Sequence, residues 1–79
     1  MNLNNKIENF VKERDEALLS LDKAKILACA EKYGVRLPKN ELVFWASVHK
    51  SILAINSADE AQKAKSKAWL LEHGFKPSF

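Results

Sequence analysis

The sequence predicts an all-α fold, a compact bundle of about four helices with the third helix at its centre. Glycine and proline are scarce, with two of each in 79 residues, which disfavours a β-rich fold full of turns. Apolar residues recur at spacings of three and four, the period of a helix. The segment 42–55 (LVFWASVHKSILAI) is apolar around most of a helix, as a central buried helix requires. The length fits one small domain over residues 1–79.

The first helix is predicted to start near the asparagines at positions 2, 4 and 5 and to run for about four turns. Its inner face consists of apolar residues at helical spacing: Leu3, Ile7, Phe10, Val11, Ala17 and Leu18.

Ser20 is the predicted N-cap of the second helix, because its hydroxyl can accept a free backbone N–H. The inner face of this helix is Ile26, Leu27, Ala30 and Tyr33. Gly34 ends the helix in a left-handed conformation, after which Val35 folds back on the last turn.

Asn40 is the predicted N-cap of the third helix, which runs through Asn56. Ser57 and Glu60 form a capping box that starts the fourth helix. The inner face of the fourth helix is Ala61, Ala64, Ala68 and Leu71, with Trp69 at its edge. Gly74 and then Pro77 end this helix.

The cellular setting is inferred from what the composition lacks. Cys29 is the only cysteine, so a disulfide within the chain is ruled out and a reducing compartment is favoured. No apolar run approaches the roughly 20 residues that span a bilayer, and the polar start MNLNNKIEN lacks the apolar core of a signal peptide. We therefore expect a soluble cytoplasmic protein that has no contact with a membrane.

Large aromatic and aliphatic residues are numerous near the third and fourth helices. A small bundle cannot hide all of them, and surplus apolar surface usually marks contact with a protein partner or a second copy. The candidate interface is Phe44, Trp45, Trp69, Leu70 and Phe75. The sequence thus predicts a small protein-interaction module that can self-associate.

The alternative is a small basic nucleic-acid-binding protein. The lysines and arginine that would contact phosphates are Lys63, Lys65, Lys67, Lys50, Arg36 and Lys39. Lys65 falls near the alanine face rather than beside Lys63 and Lys67, and the net charge is only +3. Segment 30–35 has the spacing of a helix-turn-helix turn, yet the helix that follows offers apolar rather than base-reading residues.

No enzyme, metal site, cofactor or small-molecule substrate is indicated. The acidic residues are not paired by their spacing, so no acid–base pair is enforced. His49 and His73 form no ligand cluster with Cys29. We expect His49 to be a partly buried histidine bonded to a backbone carbonyl or a carboxylate, and Cys29 to be a packed thiol.

Several segments form one general pattern: 14–22 (RDEALLSLD), 32–35 (KYGV), 44–45 (FW) with 49–50 (HK), and 66–70 (SKAWL). Together they resemble short uncharacterised helical proteins of bacterial prophage and mobile-element gene sets. The resemblance spans residues 14–74 and implies a bacterial, intracellular accessory protein. It carries no known activity, cofactor or site.

Overall fold

The computed structural model of the chain describes the backbone of residues 3–77 and the side chains of residues 7–77. Its regular elements are four α-helices: α1 (Leu3–Ser20), α2 (Lys23–Tyr33), α3 (Glu41–Ala54) and α4 (Glu60–Glu72). Residues 3–77 contain no strand, so the prediction of an all-α fold with four helices is confirmed. Within this range, none of the helices is both long and apolar enough to cross a bilayer.

The chain divides between Leu37 and Pro38 into two compact units. In the first, the α1–α2 unit, the two helices pack against each other; in the second, the α3–α4 unit, the other two do the same. Short connections join the helices of each pair, as in an antiparallel helical hairpin.

The N-cap of α2 lies two residues after the predicted cap. Ser20 is the last residue of α1, and its hydroxyl donates to the Ala17 carbonyl at 2.6 Å. Asp22 is the N-cap, because its carboxylate accepts the backbone N–H groups of Ala24 and Lys25. A carboxylate suits this place better than a hydroxyl, since its charge also interacts with the helix dipole.

The end of α2 matches the sequence prediction. Gly34 has a φ of +69°, in the left-handed region, and Val35 donates its backbone N–H to the Ala30 carbonyl at 2.8 Å. This pattern satisfies carbonyls that the helix end would otherwise leave without a donor.

Helices α1 and α2 bury only part of their predicted inner faces. Ala17, Leu18 and Ile26 are buried, whereas Ile7, Val11 and Leu27 are exposed. Helix α2 has 11 residues against 18 in α1, and its last residue, Tyr33, contacts Phe10. The first turns of α1 therefore extend past the end of α2, which leaves Ile7 uncovered within this unit. The side chain of Leu3 lies outside the described residues.

Among the side chains that the structure describes, helix α3 supplies more buried ones than any other helix, as its apolar sequence predicts. They are Phe44, Ala46, Val48, His49 and Ile52. The Asn40 side chain caps the helix by accepting the Val43 N–H at 3.1 Å, so this cap is confirmed. The helix ends at Ala54, two residues before the predicted Asn56, because Ile55 is extended.

The capping box of α4 is formed by Asp59 and Gln62, so the predicted pair of Ser57 and Glu60 is wrong. The Gln62 N–H donates to the Asp59 carboxylate at 2.7 Å, and the Asp59 N–H donates to the Gln62 side chain at 2.9 Å. Both pairs have the required spacing of three residues. The turn before the helix decides between them, because Ala58 donates its N–H to the Ile55 carbonyl and buries its methyl group.

The inner face of α4 is also different from the prediction. Ala61, Ala64, Ala68 and Leu71 are exposed, and Leu71 is 56% exposed. The buried residues are Ser66 and Leu70, with Gln62, Lys63 and Trp69 half-buried. At 100° per residue these two groups lie on opposite sides of the helix. The larger Leu70 and Trp69 remove more apolar area from water than the alanines would, which favours the observed face.

The capping box gives a direct prediction for stability. We expect Asp59→Ala to lower the free energy of unfolding by about 1 kcal/mol, because the Gln62 N–H loses its acceptor. Ser57→Ala is the matched control and is expected to change it by less than about 0.5 kcal/mol. Urea unfolding followed by circular dichroism measures both. A larger loss for Ser57→Ala than for Asp59→Ala would contradict the assigned cap.

Candidate protein-binding surface on the third and fourth helices

A buried polar pair joins α3 to α4. His49 is 7% exposed and Ser66 is 2% exposed, and the His49 Nδ1 atom lies 3.0 Å from the Ser66 hydroxyl oxygen. This hydroxyl takes the place of the backbone carbonyl or carboxylate predicted as the partner of His49. No buried side-chain nitrogen or oxygen of residues 7–77 lacks a hydrogen-bond partner. The pair therefore satisfies two polar groups that would be costly to bury alone.

Trp69 is at the centre of a set of stacked rings, here called the aromatic cluster: Trp45, His49, Trp69, His73 and Phe75. The His49 and Trp69 ring centroids are 4.6 Å apart with planes 24° apart. His73 stacks on Trp69 at 4.0 Å and 20°, and Phe75 lies 6.2 Å from Trp69 at 13°. Trp45 is 6.3 Å from His49. Stacking of this kind stabilises aromatic pairs beyond the area they bury.

Hydrogen bonds fix the orientation of the outer rings. The His73 Nδ1–H donates to the Trp69 backbone carbonyl at 2.7 Å, and the Trp45 Nε1–H donates to a Glu41 carboxylate oxygen at 3.0 Å. The Lys50 ammonium lies 6.0 Å from the ring centroid of Phe75, within cation–π range. These contacts orient the rings of Trp45, His73 and Phe75 within the unit.

Gly74 turns the chain so that Phe75 returns to the helix. Its φ is +80°, a conformation that suits glycine, and the Phe75 N–H donates to the Leu70 carbonyl at 2.9 Å. The predicted role of Gly74 as a helix terminator is confirmed, and its consequence is the position of the Phe75 ring next to Trp69.

The structure separates the predicted interface residues into two groups. Phe44 is 2% exposed and Leu70 is 0% exposed, so their assignment to an interface is wrong. Both are core side chains that a partner cannot reach. Trp45, Trp69 and Phe75 are half-buried and present part of each ring to solvent. Only these three remain candidates for contact with a partner.

The predicted phosphate-binding residues do not form one stripe on the α3–α4 unit. Lys65 and Lys67 are exposed on opposite flanks of α4, and Lys63 is half-buried towards the inner side. Lys39 is exposed before α3, and Lys50 lies against Phe75. Arg36 is exposed and belongs to the α1–α2 unit.

Burial, together with the neighbouring His73, favours the neutral form of His49. Burial lowers its pKa, because the charged ring would lose its hydration, and the nearby charge of His73 lowers it further. A neutral imidazole can share one hydrogen bond with Ser66 and offer its face to Trp69.

His49 and Ser66 have the spacing of a base and a nucleophile, but their burial favours a structural role. A substrate would have to reach a hydroxyl that is 2% exposed. No group of three or more His, Cys, Asp or Glu side chains within the described part of the chain is placed to hold a metal ion.

The α1–α2 unit has a groove of about 400 Å³ beside Cys29, Glu13 and Lys32. The Lys32 ammonium donates to the Glu13 carboxylate at 2.9 Å, and the Tyr33 hydroxyl donates to the same carboxylate at 2.9 Å. These contacts lower the pKa of Glu13, and the Glu13 carboxylate raises the pKa of Lys32. The charges of Glu13 and Lys32 pair with each other, and Cys29 is a half-buried thiol as expected.

No protein-family profile, curated protein or solved structure matches the chain. The functional interpretation therefore rests on the geometry of the α3–α4 unit.

Two residues of the site were missed in the sequence. Ser66 has no flanking signal, and its role follows only from the rotation of α4. His73 could have been found from its position four residues after Trp69, where two rings on a helix stack.

The lowered pKa of His49 predicts a loss of stability in mild acid. The unfolded chain takes up a proton on this ring at a higher pH than the folded chain does. The contribution of neutral His49 is complete above about pH 6.5 and is lost as the pH falls through the lowered, folded-state pKa. We expect the urea midpoint of the wild type to fall between about pH 7 and pH 5.

Two variants isolate this effect. His49→Asn removes the titrating ring and should flatten the pH dependence, whereas His73→Asn should retain it. The ion pair of Glu13 and Lys32 titrates outside this range, since its two pKa values are shifted away from neutrality. Equal pH dependence in His49→Asn and the wild type would contradict the assignment.

Proposed function

We propose that the chain is a small protein-interaction module whose α3–α4 unit binds a segment of another protein through Trp45, Trp69 and Phe75. The observation that carries this proposal is the stack of rings around the half-buried Trp69, with hydrogen bonds that hold His49 on one side and His73 on the other. Aromatic side chains dominate the energy of many protein interfaces. Rings fixed before binding lose less conformational freedom when a partner arrives.

The surroundings of the rings indicate the chemistry of the partner. The Trp45 Nε1–H is satisfied by Glu41 within the unit, so apolar ring surface is what Trp45 offers. The ammonium of Lys50 is at the edge, next to Phe75. We infer a partner segment with apolar side chains that contact these rings.

The cellular setting follows from other features. The lone Cys29 and the resemblance to small helical proteins of bacterial prophage and mobile-element gene sets support a cytoplasmic accessory protein in bacteria. No catalytic step, cofactor or small-molecule substrate forms part of the proposal.

Single-stranded nucleic acid is the second candidate ligand, because such ligands stack their bases on half-exposed rings beside basic side chains. Trp69, Phe75 and the Lys50 ammonium have this combination. The scatter of Lys39, Lys63, Lys65 and Lys67 over several sides of the unit argues against a continuous backbone-binding groove.

Affinity capture from a lysate of the host cell tests the protein-binding proposal. We expect Trp45→Ala and Phe75→Ala to lose the captured partner and to weaken its affinity at least tenfold in purified form. Lys67→Ala on another side of α4 is the matched control and should retain binding. Circular dichroism confirms that each variant is folded. Unchanged capture by both aromatic variants would contradict the proposal.

A titration of labelled single-stranded and duplex DNA tests the alternative. Phosphate-driven binding must weaken steeply between about 50 and about 200 mM salt. The protein-binding proposal predicts no tight binding at the lower salt. Tight, salt-sensitive binding that Lys65→Gln with Lys67→Gln abolishes would overturn it in favour of nucleic acid.

A further inference from the structure

The outer face of α4 is apolar and exposed. Its members are Ala61, Ala64, Ala68 and Leu71, separated by three, four and three residues. This spacing is that of the a and d positions in two heptads of a coiled coil. The inward residues Ser66 and Leu70 occupy other heptad positions, so the seam is separate from the surface that packs on α3.

Four charged residues flank this seam. Glu60 and Lys67 are at the g positions, and Lys65 and Glu72 are at the e positions. All four are exposed, and none forms an ion pair with another described residue. The flanks of the seam are therefore available to a partner helix.

The charges at these positions complement a second copy of the same helix. In a parallel pair, each g residue meets the e residue five positions further along the partner helix, which joins Glu60 to Lys65 and Lys67 to Glu72. In an antiparallel pair, g meets g and e meets e, which joins Glu60 to Lys67 and Lys65 to Glu72. Every contact in either orientation brings opposite charges together.

We propose that the outer face of α4 is a docking surface for a second copy of this chain. Alanine at three of the four seam positions allows the two helices to approach closely, and Leu71 supplies the largest apolar contact. Self-complementary flanking charges specify the same helix as the partner. The proposal does not rest on the proposed function, because the seam shares no residue with the aromatic cluster.

The length of α4 sets the strength of this dimer. Thirteen residues are one short of two heptads, so the interface is expected to be below the roughly 1,200 Å² of a stable complex. The dimer is expected to be weak, with half-association on the order of 0.1 to 1 mM. The fraction of the chain that is dimeric therefore changes with its local concentration.

Charge exchange between two variants tests the proposal. Glu60→Lys with Glu72→Lys makes all four flanking residues basic, and Lys65→Glu with Lys67→Glu makes all four acidic. Sedimentation equilibrium at about 0.5 mM and low salt should show dimer for the wild type, monomer for each variant alone, and dimer again for their equimolar mixture. A variant that failed to fold could not form a dimer in the mixture. Recovery of the dimer on mixing therefore shows that both variants are folded.

Two further variants separate this surface from the aromatic cluster. Leu71→Lys should abolish the dimer, whereas Trp45→Ala should leave it intact and affect only the protein partner. A wild type that stays monomeric at about 1 mM would overturn the proposal. A mixture that stays monomeric while the wild type dimerises, or self-association of both variants, would also overturn it.

Discussion

The hydrogen bond between His49 and Ser66 is the constraint on which the α3–α4 unit depends. A buried imidazole needs a polar partner, and Ser66 is the residue of α4 that supplies one at 3.0 Å. Once that contact is made, Leu70 must point inwards and Trp69 must lie against the His49 ring. The rotation of α4 about its own axis that makes this polar contact is also the one that buries Leu70, so the polar pair and the apolar contacts favour the same face.

This rotation gives α4 two surfaces with different chemistry. On the inward edge, the rings of His49, His73 and Phe75 stack around Trp69 and form a half-buried aromatic surface. On the outer side, an apolar seam with self-complementary charges is left uncovered. Both proposals thus have a common origin, since a helix turned the other way would bury the seam and expose Ser66.

The sequence predicted the parts of this structure that depend on neighbouring residues. The four helices, the Asn40 cap and the Gly34 end follow from local spacing and local chemistry, which a single sequence displays.

The rotation of α4 was not predictable in that way. Ala61, Ala64, Ala68 and Leu71 have the spacing of an inner face, and the same spacing describes a seam that faces outwards. Two capping boxes also overlap near Asp59, and the choice between them depends on burial of Ala58. In both cases a tertiary contact selects between local patterns that are equally acceptable.

Nuclear Overhauser effects in the wild-type chain test the rotation of α4 most directly. At about 0.05 mM, where the proposed dimer would be a minor species, the account predicts contacts between the ring protons of His49 and the indole of Trp69, whose centroids are 4.6 Å apart. It also predicts no contact between the methyl groups of Ala64 or Ala68 and side chains of α3. Contacts from these methyl groups to α3, with none between His49 and Trp69, would contradict it.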